Sequence, residues 1–320
     1  MNPTMLEVRH VDQSFRTGFW MKPAAVLHSV SLEVARGRLF GFVGANGAGK
    51  TTLIQLIVGI RAPTAGTIQV SGFDARSYEA RRRIGYLPER PYFHEHLNGE
   101  QTLLFFGALN GLSRQEILPK VEPILTKVGL IGARKTELRK YSKGMLQRMG
   151  VAQAILHDPE LLVLDEPMSG LDPLGRKEMK ALIRELSAEG KTVFFSSHVI
   201  PDVESLCDEV AWIQNGRILG CAPVEQMLRG RVLRYELHLR PWDPEKVQRT
   251  MEGAGLSASC SIAIHPDGMK IDFMTEEEAE RALGVLLAAG ARVREFSPVR
   301  PSLEDVFGED FYRREERRHR

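Results

Sequence analysis

Two textures of apolar and polar positions divide the chain. From Met5 to about Met227, short apolar runs of strand length alternate with longer runs of helical period and Gly-rich turns. That alternation predicts an α/β domain built on a largely parallel sheet. Candidate strands are Leu39–Val43, Ile84–Leu87, Leu161–Leu164, Thr192–Ser196 and Val210–Gln214. Asn215-Gly216 follows the last of these as a type I′ hairpin signal and leads into Arg217–Gly220.

From Gly230 a second unit begins. Tyr235, Leu237 and Leu239 alternate as in a half-buried strand. A helix over about Asp243–Glu252 follows, then a strand with Cys260, Ile262 and Ile264 on one face, a Pro266-Asp267-Gly268 turn and a strand with Met269, Ile271 and Phe273. Thr275 and Glu278 form a capping box for a helix whose face carries Ala279, Ala282, Leu283, Leu286 and Leu287, ended by Gly290. Ala291–Phe296 closes the unit. The order β-α-β-β-α-β is that of a small ferredoxin-like α+β sandwich. The expected division is therefore 1–229 and 230–320.

Length agrees, since 320 residues suit two domains. The apolar stretch Leu103–Leu109 is far short of the ~20 residues a membrane-spanning helix needs. Met1–His10 lacks a signal-peptide pattern, so the expected setting is the cytosol. A net charge of +2 gives no argument for nucleic acid as a partner. Cys207, Cys221 and Cys260 have no metal spacing and read as buried or half-buried reduced thiols.

The chemistry concentrates in Gly44-Ala-Asn46-Gly47-Ala48-Gly49-Lys50-Thr51-Thr52, which fits G-x-x-x-x-G-K-[ST] between a strand and a helix pattern. Gly44, Gly47 and Gly49 let backbone amides turn inward on phosphate oxygens, and the helix starting near Lys50 adds its positive end. Lys50 is placed for the β- and γ-phosphates and Thr51 for Mg²⁺. A second feature is the buried run Leu161–Leu164 ending in Asp165-Glu166. Neighbouring strand residues point to opposite sides, so the two acids should differ in role: Asp165 on Mg²⁺, Glu166 as general base for the attacking water.

With these motifs the sequence resembles the ATP-binding-cassette (ABC) ATPases over about Met5–Met227. Tyr141-Ser142-Lys143-Gly144-Met145 resembles the signature usually written LSGGQ, Ser169-Gly170-Leu171-Asp172 the D-loop, and Ser197-His198 the switch histidine. The resemblance implies a P-loop NTPase domain of ABC type with a helical subdomain about Gln101–Leu109. It implies MgATP hydrolysis, adenine stacking on Phe15 or on Trp20, and two chains paired head-to-tail, identical or related. Each ATP would then lie between one P-loop and the other chain's Ser142 and Gly144, with Asp172 crossing the interface and His198 at the γ-phosphate. It implies a separate membrane-spanning permease and a place on the cytoplasmic side of the cell membrane. Two departures stand out. Tyr141, Lys143 and Met145 replace the common leucine, glycine and glutamine of the signature, and Glu89 in Leu87-Pro88-Glu89 replaces the Q-loop glutamine, adding negative charge near the metal and γ-phosphate. Together with Pro301–Phe307 these features resemble the multidrug and antibiotic-exporter branch. A soluble cassette ATPase acting on DNA or ribosomes is the alternative; its relatives carry long coiled coils or two cassettes, and this chain has one P-loop and no sustained heptads.

Overall fold

The computed structural model describes residues 3–17, 22–228, 232–256 and 260–307. Trp20 and the charged tail beyond 307 lie outside the described residues. Two compact units divide the chain, the first holding Met1–Glu225 and the chain from Phe307 on, the second Gln226–Val306.

The first unit has two sheets. Strands β1 (Thr4–Thr17), β2 (Lys22–Ala35), β4 (Ala65–Val70) and β5 (Phe73–Asp74) form an antiparallel sheet in the order β2-β1-β4-β5. Strands β3 (Leu39–Val43), β6 (Ile84–Leu87), β7 (Leu161–Leu164), β8 (Thr192–Ser197), β9 (Glu209–Gln214) and β10 (Arg217–Pro223) form the other, ordered β10-β9-β3-β8-β7-β6. All its pairings are parallel except β10 with β9. β3, β7 and β8 are buried along their whole length, as parallel strands covered on both faces must be. Asn215 and Gly216 both take positive φ in the β9–β10 hairpin, the type I′ geometry. The antiparallel sheet is an addition to the expected architecture.

Helix α1 (Lys50–Ile57) follows β3, and its buried Leu53, Ile54 and Ile57 join residues of both sheets in one core. Phe40 and Phe194 stack there with centroids 5.6 Å apart. After α2 (Tyr78–Arg81), helices α3 (Gly99–Leu109) and α4 (Arg114–Lys127) pack together and on α5 (Lys143–Ile155) as the helical subdomain. Asn98 and Ser113 start α3 and α4 with capping boxes, each satisfying otherwise unpaired amides. Ile117, Val121 and Leu125, one helical turn apart, form the buried face of α4 despite Pro119 and Pro123. Helices α6 (Pro173–Ala188) and α7 (Ile200–Leu206) complete the unit, and α8 (Val224–Leu228) spans the division.

In the second unit β11 (Arg234–Leu239), α9 (Pro244–Gly253), β12 (Cys260–His265), β13 (Gly268–Phe273), α10 (Glu276–Ala288) and β14 (Val293–Val299) follow the expected β-α-β-β-α-β order, before α11 (Leu303–Phe307). The sheet runs β12-β13-β11-β14, all antiparallel, which is ferredoxin-like connectivity. Two details differ from expectation. Leu287 is exposed, leaving Ala279, Ala282 and Leu286 as the buried face of α10. Thr275 caps the Glu278 amide, but the Glu278 carboxylate bonds the Thr275 hydroxyl and not its backbone N–H. All three cysteines are free, with Cys207 buried and Cys221 exposed, so the latter departs from the expected burial. Among the described residues no helix is long and apolar enough to cross a membrane.

Candidate functional site

The site forms where β3, β8, β7 and β6, neighbours in the parallel sheet, reach their C-terminal ends, the edge at which open α/β sheets bind ligands. The loop after β3 wraps into α1. Gly47 and Gly49 hold positive φ, +78° and +112°, and a Cβ on Gly49 would stand 2.8 Å from Leu27 Cδ2, so only glycine meets both demands there. The resulting cavity of about 350 Å³ is lined by Asn46, Gly47, Gly49, Lys50, Thr51, Thr52, Glu89, Glu166 and His198, with Val26 and Ser169 besides. Gly44 and Ala48 support it from behind. The Gly44 carbonyl accepts from Lys50 Nζ at 2.6 Å, and the Ala48 carbonyl accepts from the Gly216 amide at 3.0 Å.

Lys50 is buried yet surrounded by oxygen: besides Gly44 it donates to the Ala45 carbonyl and pairs with Glu166 Oε1 at 3.1 Å. The other oxygen of Glu166 meets His198 Nδ1 at 2.9 Å. A carboxylate can only accept, so Nδ1 carries the proton of that bond. Burial pushes the Glu166 pKa up, but the His198 hydrogen bond and Lys50 outweigh it and hold the carboxyl below its ordinary value. Glu166 is therefore an ionised carboxylate held from both ends.

Asp165 behaves in the opposite sense. Burial drives its pKa up, against the pull of the Ser196 and Thr51 hydroxyls, and the charges of Glu166 and Glu89 add to the rise. Ser196 Oγ donates to Asp165 Oδ1 at 2.6 Å and accepts from the Glu166 amide at 2.9 Å. Asp165 Oδ2 is buried without a hydrogen-bond partner of normal geometry, on a carboxylate that the Thr51 hydroxyl also approaches. A buried carboxylate oxygen left in this state is suited to a hard cation or its water shell. Among the described residues no three His, Cys, Asp or Glu gather as a metal cage. Mg²⁺ is one such hard cation, which protein sites hold through one or two carboxylates plus phosphate oxygens and waters.

The separation of Asp165 from Glu166 has a different origin from strand alternation. β7 ends at Leu164, and Glu166 sits in the left-handed region at φ +47°. That backbone state, strained for a residue with a Cβ, turns the glutamate toward Lys50 and His198. Ser196, not singled out from the sequence, fastens both acids; its signal is a fully buried serine directly after the apolar run Val193–Phe195.

The remaining candidates lie elsewhere. Ser142, Gly144 and Asp172 line a second cavity, of about 430 Å³, together with Lys143, Arg148, Gly170 and Leu171. Ser142 Oγ caps α5 by accepting from the Met145 amide at 3.3 Å, and Asp172 caps α6 by accepting from the Gly175 amide at 2.9 Å. Phe15 is half-buried outside the first cavity's lining, and the Arg61 guanidinium lies over its ring at 5.1 Å.

The glycine cradle, the buried lysine and the paired acids define a P-loop nucleoside triphosphatase. Comparison with known proteins narrows the class. Residues 27–169 match the family described as ABC transporter. An uncharacterized ABC transporter ATP-binding protein of Synechocystis is 36% identical over 307 residues, spanning 95% of this chain and 83% of its own length. The bacitracin transport ATP-binding protein BcrA of Bacillus licheniformis is 35% identical over 87% of this chain and 90% of its own. A solved structure of the ATP binding subunit of an ABC transporter superposes with a TM-score of 0.61 and 31% identity, over 70% of this chain and 92% of that one. The chain belongs to the ABC transporter ATP-binding proteins. It is the ATP-binding, ATP-hydrolysing subunit of such a transporter, as the resemblance in its motifs implied, and the soluble alternative acting on DNA or ribosomes is not favoured.

Proposed function

We propose that this subunit powers export through separate membrane-spanning permease subunits by clamping each ATP between the P-loop of one protomer and the signature segment of another, either a second copy or a related chain. One observation carries the reading. Ser142 and Gly144 share a cavity with Asp172 and not with the P-loop, so a phosphate-seeking helix start lies apart from the chain's own phosphate cradle. Pairing two chains gives that helix start a nucleotide to meet. In sedimentation, Glu166→Gln should run as a dimer with MgATP and as a monomer without nucleotide; a monomer in both conditions contradicts the reading.

Within the clamp, Lys50 shifts from its carbonyl and glutamate partners to the β- and γ-phosphates, to which the cradle amides from Asn46 to Thr52 also donate. Asp165, Thr51 and Glu89 would hold Mg²⁺, with the orphaned Asp165 oxygen as the support for this assignment. When bound, the ion neutralises charge that builds on the γ-phosphate. Glu166, kept ionised, takes the proton of the attacking water, and His198 holds that carboxylate in place and reaches the γ-phosphate. Asp172 crosses the interface. Phe15 stacks on adenine once its ring exchanges Arg61 for the base, with Trp20 as the other candidate ring.

Export as the direction follows the resemblance of the signature, of Leu87-Pro88-Glu89 and of Pro301–Phe307 to the multidrug and antibiotic-exporter branch. As the family resemblance implies, the subunit works as a peripheral protein on the cytoplasmic side, held by its permease. The second unit, 230–320 by the sequence reading, steadies or regulates the dimer. Unaltered association, ATPase rate and transport after its deletion would remove that role.

A further inference from the structure

The nucleotide cavity is rich in acid. Among the described residues Glu89 and Glu166 line it, Asp165 lies buried against it, and Lys50 is the lysine that faces them, already paired with Glu166 at 3.1 Å. Glu89 is exposed on the cavity lining. Arg90, next in sequence, does not line the cavity and so does not balance Glu89 at the ligand. The usual ABC pattern has a neutral glutamine at this position. This chain therefore brings one more negative charge to the place where a triphosphate, itself anionic, must end, and together these charges exceed what Lys50 and one divalent ion on Asp165, Thr51 and Glu89 would offset.

The second cavity carries the opposite change. Its charged lining residues are Lys143, Arg148, Asp172 and Glu178. Arg148 donates to Glu178 at 2.7 Å, and Asp172 is engaged as the cap of α6. Lys143 is exposed, its ammonium lies over Gly170, where a Cβ would come within 1.9 Å of Nζ, and it forms no ion pair among the described residues. The usual pattern has glycine here. One added acid and one added base thus stand on the two jaws that the head-to-tail dimer brings onto the same ATP.

We propose that Lys143 of one protomer is the counter-charge to Glu89 of the partner subunit, facing it across the γ-phosphate end of the clamped nucleotide. This pairing rests on the head-to-tail reading above. It makes the glutamate compatible with tight ATP-driven closure, and it makes Lys143 a positioning residue for closure. Being partly open to solvent, the interaction is sensitive to salt, with a range near the Debye length of ~10 Å at 0.1 M.

The test is a double-mutant cycle in the full-length Glu166→Gln protein, reading the MgATP concentration that gives half-maximal dimer. Both side chains are exposed, so these variants keep the fold. Lys143→Gln should raise the ATP requirement by about tenfold when Glu89 is present and by less than about threefold alongside Glu89→Gln. Lys143→Arg should stay within about twofold of the parent, and the coupling should shrink at about 0.5 M salt. Equal effects of Lys143→Gln with and without Glu89, or no effect in either, overturn the pairing while the dimer itself persists. A parent Glu166→Gln protein that never dimerises with MgATP overturns the head-to-tail reading and the pairing with it.

Discussion

Glu166 Oε2 and His198 Nδ1 meet at 2.9 Å, while Glu166 Oε1 stands 3.1 Å from Lys50 Nζ. The carboxylate, just past the end of β7, is thus fixed at both oxygens by residues from two other elements: Lys50 at the α1 start and His198 after the end of β8. Such anchoring keeps a buried acid ionised and aimed, which a general base requires.

Removing one anchor should move the pH dependence of hydrolysis. The Glu166 pKa is depressed, so its ionised form is favoured by the fold. The stability this lends is present above the unfolded carboxyl pKa and is lost as pH falls through the folded one. His198→Ala removes the largest depressing contact, so the acid limb of kcat/KM against pH should shift toward neutrality and the rate at pH 7 should fall by about 100-fold. An unmoved acid limb would count against Glu166 as the base.

Lys50→Ala removes the cation facing both phosphate and Glu166. Leaving a buried carboxylate without its partner is costly, and the anionic ligand loses its main counter-charge. ATP affinity by calorimetry should drop by about 100-fold or more. Unchanged affinity would contradict the phosphate assignment of the loop.

Asp165 offers a test with the opposite sign. Its pKa is raised, chiefly by burial, so the charged form costs the fold stability at neutral pH. Asp165→Asn keeps an oxygen for the Ser196 hydroxyl and removes the charge. Without nucleotide, Tm should rise by about 2 °C, while magnesium should no longer stimulate ATPase activity. A lowered Tm with magnesium stimulation intact would sink the metal assignment.

Ser196→Ala strips one hydroxyl from two acids. The Glu166 amide and Asp165 Oδ1 lose their shared partner inside the protein. Unfolding should be easier by about 1–3 kcal/mol in denaturant titration, and turnover should fall as well. Normal stability and turnover would mean that Ser196 does not position the pair.

Much of this site was legible in the sequence because its parts are local. The strand before Gly44 and the strand before Asp165 are uninterrupted apolar runs, and the glycine spacing dictates a phosphate cradle without tertiary knowledge. The left-handed backbone of Glu166 and the bridging role of Ser196 were not legible, since both depend on β7 and β8 lying side by side. β1 escaped notice for another reason. Its buried Leu6, Val8 and Val11 break strict alternation where register shifts interrupt the pairing with β2, and a bulge erases the period that marks a strand. Val26 entered the cavity lining from β2, ahead of the stretch Val30-Ser31-Leu32-Glu33-Val34 where that strand's alternation is regular.

Subunit complementation tests the clamp most directly. Lys50→Ala spoils the P-loop, and Ser142→Asp sets a negative charge at the signature while keeping an N-cap for α5. Each variant alone should hydrolyse little ATP. Mixed in equal amounts, half of the dimers contain one of each and one undamaged composite site, so the ATPase rate should recover to about a quarter of the parent's. A mixture as inactive as its two components would contradict a site shared between protomers.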